Sequence, residues 1–126
     1  MDKNIYSLTK TSEFRLKLYP NDFKKVRDFY ENILNFPLLD NWDGENSGAM
    51  FNTGAGIVEL LTSKEGYTPI RGTNLSLGVD DVWKLWEELK DKVKVIHALR
   101  NNSWGDTSFR ISDPEGFEIT FFTKTK

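Results

Sequence analysis

Apolar positions along this chain switch between a two-residue period and a helical one, and they do so twice in the same order. Phe14, Leu16 and Leu18 alternate with Arg15, Lys17 and Tyr19, which predicts a strand over residues 14–19 with one apolar face and Arg15 on the other. Pro20 and Asn21 break it, Asp22 is placed to cap a helix, and Phe23, Val26, Tyr30, Ile33 and Leu34 then recur at helical spacing as far as a stop at Asn35. Further strands are expected at residues 36–39, around 49–51 and at 57–61, with turns over 41–47 and 53–56. The first half therefore reads as one strand, one helix and three strands.

Residues 62–72, which hold Gly66, Pro69 and Gly72, make the one candidate linker, and after them the pattern restarts. Leu18, Asp22, Val26 and Tyr30 return as Leu77, Asp81, Leu85 and Leu89, each 59 residues later. A strand over residues 74–79 leads to a helix capped by Asp80 or Asp81, with Val82, Leu85, Trp86 and Leu89 as its apolar stripe and Trp83 off it. Val93, Val95 and His97 mark the next strand, residues 107–112 another and 117–123 the last, with turns at 101–102 and 113–116. The expected organisation is a single α+β domain over 1–126: a first module at about 12–62, a linker at 63–72 and a second module at about 73–124. Paired modules of this kind leave a cavity between them.

Composition narrows the function classes. The chain of 126 residues is long enough to bury its own core. It has no cysteine, which removes disulfides, thiolate metal sites and cysteine nucleophiles and suits a reducing compartment. A formal charge of −2 offers no basic surplus for phosphates, so nucleic acid is not an expected partner. No apolar run approaches the roughly 20 residues that span a bilayer. The polar start Met1-Asp2-Lys3-Asn4 lacks the order of a signal peptide, so a soluble cytoplasmic protein is expected. Four Trp and nine Phe are a heavy aromatic load, and aromatics line small-molecule pockets as well as cores. The lone histidine, His97, has no serine or cysteine partner pattern, and no phosphate-cradling loop or metal-protease motif is present.

Several stretches carry a family resemblance: Asp22 with Phe29-Tyr30 and Ile33-Leu34-Asn35-Phe36; Gly56 to Leu60; Val79-Asp80-Asp81-Val82; and Trp104-Gly105-Asp106 followed by Phe109 and Asp113-Pro114-Glu115-Gly116. Together they cover residues 14–122 and resemble the glyoxalase/bleomycin-resistance/dioxygenase superfamily, or vicinal oxygen chelate fold. The resemblance implies two βαβββ modules that curve a mixed sheet around a small-molecule cavity, commonly in a homodimer. It also implies four metal-ligand positions in the members that do chemistry, filled there by His, Gln or Glu.

Counting along the matched motifs places those four positions at Arg15, Glu59, Asn74 and Thr120. Glu118 falls two residues before the last and is expected on the opposite face of its strand. Only Glu59 is a usual ligand type, and a guanidinium has donors alone and stays protonated. The expectation is a metal-free member, with no cofactor, in which Arg15 pairs with Glu59 to orient a ligand. Trp42 beside the Asp43-Gly44 turn, Phe51 on a short strand and Trp104 in a loop are expected to line the cavity mouth and stack on a planar ligand. The expected ligand-binding set is thus Arg15, Trp42, Phe51, Glu59, Asn74, Trp104 and Thr120.

The resemblance is nearest to the bleomycin-resistance branch, whose dimers sequester drug without chemistry. Three functions follow. The first is a metal-free homodimer that captures a drug-like, aromatic or anionic small molecule. The second is a metal-dependent lyase, isomerase or dioxygenase, lactoylglutathione lyase-like, using Glu59 with Glu118 or His97. The third is a non-catalytic dimeric module whose cavity is filled by its own side chains.

Overall fold

The structure is a computed structural model that describes residues 10–62 and 72–125. The expected linker lies outside the described residues except for Gly72. In chain order the elements are β1 (Arg15–Leu18), α1 (Phe23–Asp28), a π-helical turn (Phe29–Ile33), β2 (Leu38–Trp42), β3 (Gly48–Asn52) and β4 (Ile57–Leu61), followed by β5 (Asn74–Gly78), α2 (Val82–Leu89), β6 (Lys94–Asn102), β7 (Asp106–Ser112) and β8 (Glu118–Lys124). Each half is a βαβββ module, as the repeat requires.

Both helices start where a capping aspartate stands. The Asp22 carboxylate accepts from the Lys25 amide at 3.2 Å, and Asp81 does the same for Lys84 at 3.0 Å, satisfying amide groups that have no partner within the helix. The first helix stops at Asn35, whose φ of 57° is a left-handed conformation that asparagine tolerates. Two strands run further than their apolar pattern suggests. Trp42 pairs with Gly48 inside β2 rather than lying in a turn, and Asn101 and Asn102 pair with Thr107 and Asp106 inside β6. Backbone pairing across a hairpin carries polar residues into a strand that side-chain alternation alone leaves out.

Each module folds into a four-stranded sheet, ordered β1-β4-β3-β2 in the first and β5-β8-β7-β6 in the second. The outer pairs β1–β4 and β5–β8 are parallel because a helix crosses between the first strand and the rest; the hairpin-linked strands are antiparallel. Alternation then sorts each sheet into two faces. Leu18, Ala49, Phe51, Val58 and Leu60 turn one way with Val26, Phe29 and Tyr30, and Phe109, Ile111, Ile119 and Phe121 do so with Val82 and Leu89; all are buried. Burying each large side chain contributes roughly 1.5–3 kcal/mol.

Polar contacts join the modules. The Tyr30 hydroxyl donates to Asp113 Oδ2 at 2.9 Å, and Glu115 accepts from the backbone amides of Asn21 and Asp22 at 2.8 and 2.6 Å. The hairpin turn of the second module is thereby seated on the start and the end of the first helix. Elsewhere β1 and β5 border a common cavity of about 170 Å³ lined by Phe14, Leu16, Ile57, Leu75 and Leu77, so the two sheets adjoin along these edges.

Candidate functional site

The sheet faces turned away from the helices carry the chemistry. On the first, Arg15 leaves β1 beside the start of β4, and its Nη1 donates to Glu59 Oε1 at 3.3 Å while its Nε donates to Glu13 Oε2 at 2.9 Å. The same Nη1 lies 3.8 Å from Met50 Sδ. Glu59 is buried, at 7% exposure, although it belongs to the open face, because Arg15 lies against it and Met50 pairs with it from the next strand. The two carboxylates, Glu13 ahead of Glu59, raise the pKa of the Arg15 guanidinium above its ordinary value.

Trp42 completes this face. It pairs with Gly48, and its indole fills the space in which any Gly48 side chain would stand. A glycine is needed there so that the ring can lie against the backbone.

The second sheet places a comparable cluster. The Thr120 hydroxyl donates to Asn74 Oδ1 at 3.3 Å and accepts from Arg110 Nε at 3.0 Å, while Arg110 Nη1 donates to Glu118 Oε1 at 3.4 Å. Register makes the clusters equivalent. Lys17 stands opposite Glu59 as Ser76 stands opposite Thr120, and Met50 stands opposite Glu59 as Arg110 stands opposite Thr120. Asn74 and Thr120 are thus the counterparts of Arg15 and Glu59.

The structure therefore brings Arg15 together with Glu59, and Asn74 with Thr120, and sets Trp42 on the first of these faces. Three expectations are corrected. Phe51 does not line the site: alternation along β3 turns it to the helices, where it is fully buried with its ring 6.5 Å from Tyr30, and its neighbour Met50 takes the open face instead. Trp104 is 70% exposed in the β6–β7 turn, ahead of β7, and the strand from Asp106 to Arg110 alone puts about 13 Å between that turn and the second cluster. Glu118 is not on the opposite face from Thr120; residues two apart share a face, and Arg110 bonds both.

Sequence reasoning missed Arg110, and also Met50. The signal was present as strict alternation through Ser108, Arg110 and Ser112 between Phe109 and Ile111. His97 pairs with Arg110 across β6 and β7, and both β7 and β8 stand between it and Asn74.

The arrangement is built to donate hydrogen bonds. The first sheet holds a guanidinium already paired with the one carboxylate and the second an amide bonded to a hydroxyl, and neither set suits a divalent metal. Among the described residues no group of three or more His, Asp or Glu side chains converges as a metal site.

The sequence pattern of the Glyoxalase/Bleomycin resistance protein/Dioxygenase superfamily matches residues 14–121. The chain belongs to this superfamily. No curated protein is significantly similar in sequence. Solved structures share the fold: TioX from Micromonospora sp. ML1 is 22% identical with a TM-score of 0.73, over 90% of this chain and 99% of that one. TnmS3, an antibiotic binding protein from Streptomyces sp. CB03234, is 23% identical with a TM-score of 0.70, over 90% and 96%. A lactoylglutathione lyase from Agrobacterium tumefaciens is 16% identical with a TM-score of 0.68, over 90% and 93%. The same fold thus occurs in a protein that binds an antibiotic and in a lyase, and the fold by itself does not choose between such roles.

Proposed function

We propose that this superfamily member is a metal-independent small-molecule-binding protein, a homodimer in a reducing compartment, that sequesters a drug-like or aromatic ligand and releases it unchanged. One observation carries the reading: Arg15 holds Glu59 at 3.3 Å, so the one carboxylate among the four matched positions is engaged by a cation of the protein's own. A guanidinium in that place orients ligand acceptors and supplies no Lewis acid. Trp42, seated on Gly48, adds an aromatic surface beside it. The likeness in fold to an antibiotic binding protein supports the same reading.

The test is titration of the purified protein with a panel of aromatic antibiotics, followed by tryptophan fluorescence with and without chelator. Saturable quenching that chelator leaves unchanged, with the ligand recovered at its original mass, supports the proposal. Recovery of an altered ligand, or loss of binding on chelation, contradicts it and favours a metal-dependent enzyme. Sedimentation of the same sample tests the dimer.

A further inference from the structure

Three basic side chains of β6 point one way because the strand is bulged twice. Lys94, His97 and Arg100 are spaced three apart, and in a regular strand residues three apart face opposite sides. Here the register slips between Val95 and His97 and again between His97 and Arg100, so that Lys94 stands opposite Ser112, His97 opposite Arg110 and Arg100 opposite Ser108. All three therefore share the open face of the second sheet with Arg110. A bulge re-aims the side chains that follow it, and two in succession collect basic groups that alternation would have scattered.

Charge on that face is one-sided. Lys94, Arg100, Arg110 and Lys124 stand against Asp106 and Glu118, four cations against two carboxylates, in a chain whose formal charge is −2. Both carboxylates are already engaged, Glu118 by Arg110 at 3.4 Å and Asp106 by the Asn102 amide at 2.7 Å. Among the described residues Lys94, Arg100 and Lys124 have no ion-pair partner. The open face of the first sheet has no such surplus, because Arg15 and Lys17 meet Glu13, Glu59 and Asp40.

One row across the second sheet joins this charge to an aromatic surface. Arg100 on β6, Ser108 on β7 and Phe122 on β8 stand side by side, and the row ends at Gly78 on β5, over which the Phe122 ring closes. The Ser108 hydroxyl accepts from Asn102 Nδ2 at 2.8 Å and keeps its own proton to donate. Arg110 follows two residues later on the same face, about 7 Å along β7. Strand spacing sets the backbone of Arg100 about 10 Å from that of Phe122, a span that a fused bicyclic ring with one acidic group covers.

Resting on the binding function proposed above, we infer that its ligand is an aromatic acid, whose oxyanion, a carboxylate or a phosphate, is held between Arg100, Arg110 and the Ser108 hydroxyl while its ring lies on Phe122. Arg100 presents a planar fork to the acid oxygens, and Lys94 and Lys124, at the two ends of the face, supply field rather than contact. The second sheet alone makes this site.

The experiment uses four probes that share one ring system: 2-naphthoate, 2-naphthyl phosphate, 2-naphthamide and 2-naphthylmethylammonium. Each is titrated at neutral pH against the parent chain, Arg100→Gln, and Lys24→Gln, which removes the same charge from the exposed side of α1; far-UV circular dichroism checks that both variants fold. At least one of the two acids is expected to bind tighter than the amide, and the tighter of them names the oxyanion. Its affinity is expected to fall about five- to tenfold in Arg100→Gln, to stay as in the parent in Lys24→Gln and to weaken with added salt, while amide binding does not change. Equal binding of the acids and the amide, or preference for the ammonium probe, overturns the acidic ligand. An equal loss in both variants overturns the assignment to this face. Binding of none of the four removes this inference alone, whereas failure of the antibiotic panel as well removes the binding function itself.

Discussion

Tyr30 gives its hydroxyl proton to Asp113 Oδ2 across 2.9 Å, and so one residue at the end of the first helix and one in the last hairpin turn hold the two modules together. Asp113 Oδ1 meanwhile accepts from the amides of Glu115 and Phe117 at 2.8 and 3.0 Å, which fixes the turn itself. Replacing Tyr30 by Phe removes a donor from a buried carboxyl, and is expected to cost about 1–2 kcal/mol in urea unfolding. An unchanged midpoint would show that the contact is not part of the stability of the fold.

Burial pushes the Asp113 carboxyl above its ordinary value of 3.8, outweighing the hydrogen bonds from Glu115, Phe117 and Tyr30 that pull it down. A carboxyl raised in the folded state contributes stability below its unfolded pKa and loses that contribution as pH rises through the folded one. Asp113→Asn keeps an oxygen for the two amides and carries no charge to desolvate. The variant is therefore expected to gain on the parent as pH rises from about 4 towards neutrality, read as the difference in unfolding free energy across that range. A difference that stays flat with pH contradicts the assignment.

Glu115 acts as a remote cap, taking the amides of Asn21 and Asp22 just before the first helix begins. Glu115→Ala is expected to cost about 1 kcal/mol, in the range of a lost helix cap. Amide exchange over residues 21–25 should quicken with it, and exchange confined to the hairpin would show that the contact serves only its own turn.

Gly48 makes room for Trp42, and a methyl group there would collide with the indole ring. Gly48→Ala is expected to destabilise the fold by about 1–3 kcal/mol by overpacking, to shift tryptophan emission and to weaken aromatic ligand binding. Emission and binding identical to the parent would mean that Trp42 has no part in the site.

Much of this architecture was legible because two periods repeat along the chain. The recurrence of Leu18, Asp22, Val26 and Tyr30 at Leu77, Asp81, Leu85 and Leu89 marks the modules, and both aspartates cap the helices they precede. The site was legible only where a family motif fixed the count, as at Arg15, Glu59, Asn74 and Thr120. Phe51 misled because an aromatic on a short strand suits a core as well as a pocket, and only the parity of β3 separates it from Met50. Arg110 escaped because it does not occupy the place that the repeat assigns to Arg15; its role comes from the register of β7 on β8, which no local pattern encodes. Trp104 lies in a turn at the other end of that strand from Arg110, a separation that becomes visible only once β7 is laid out residue by residue.

The central claim is that the Arg15–Glu59 pair takes the place of a bound ion. Elemental analysis of protein purified without chelator, then incubated with excess zinc, nickel or manganese and dialysed, tests it most directly. The account predicts divalent metal far below one ion per chain in every sample. One tightly held ion per chain, lost together with Glu59→Gln, would contradict it.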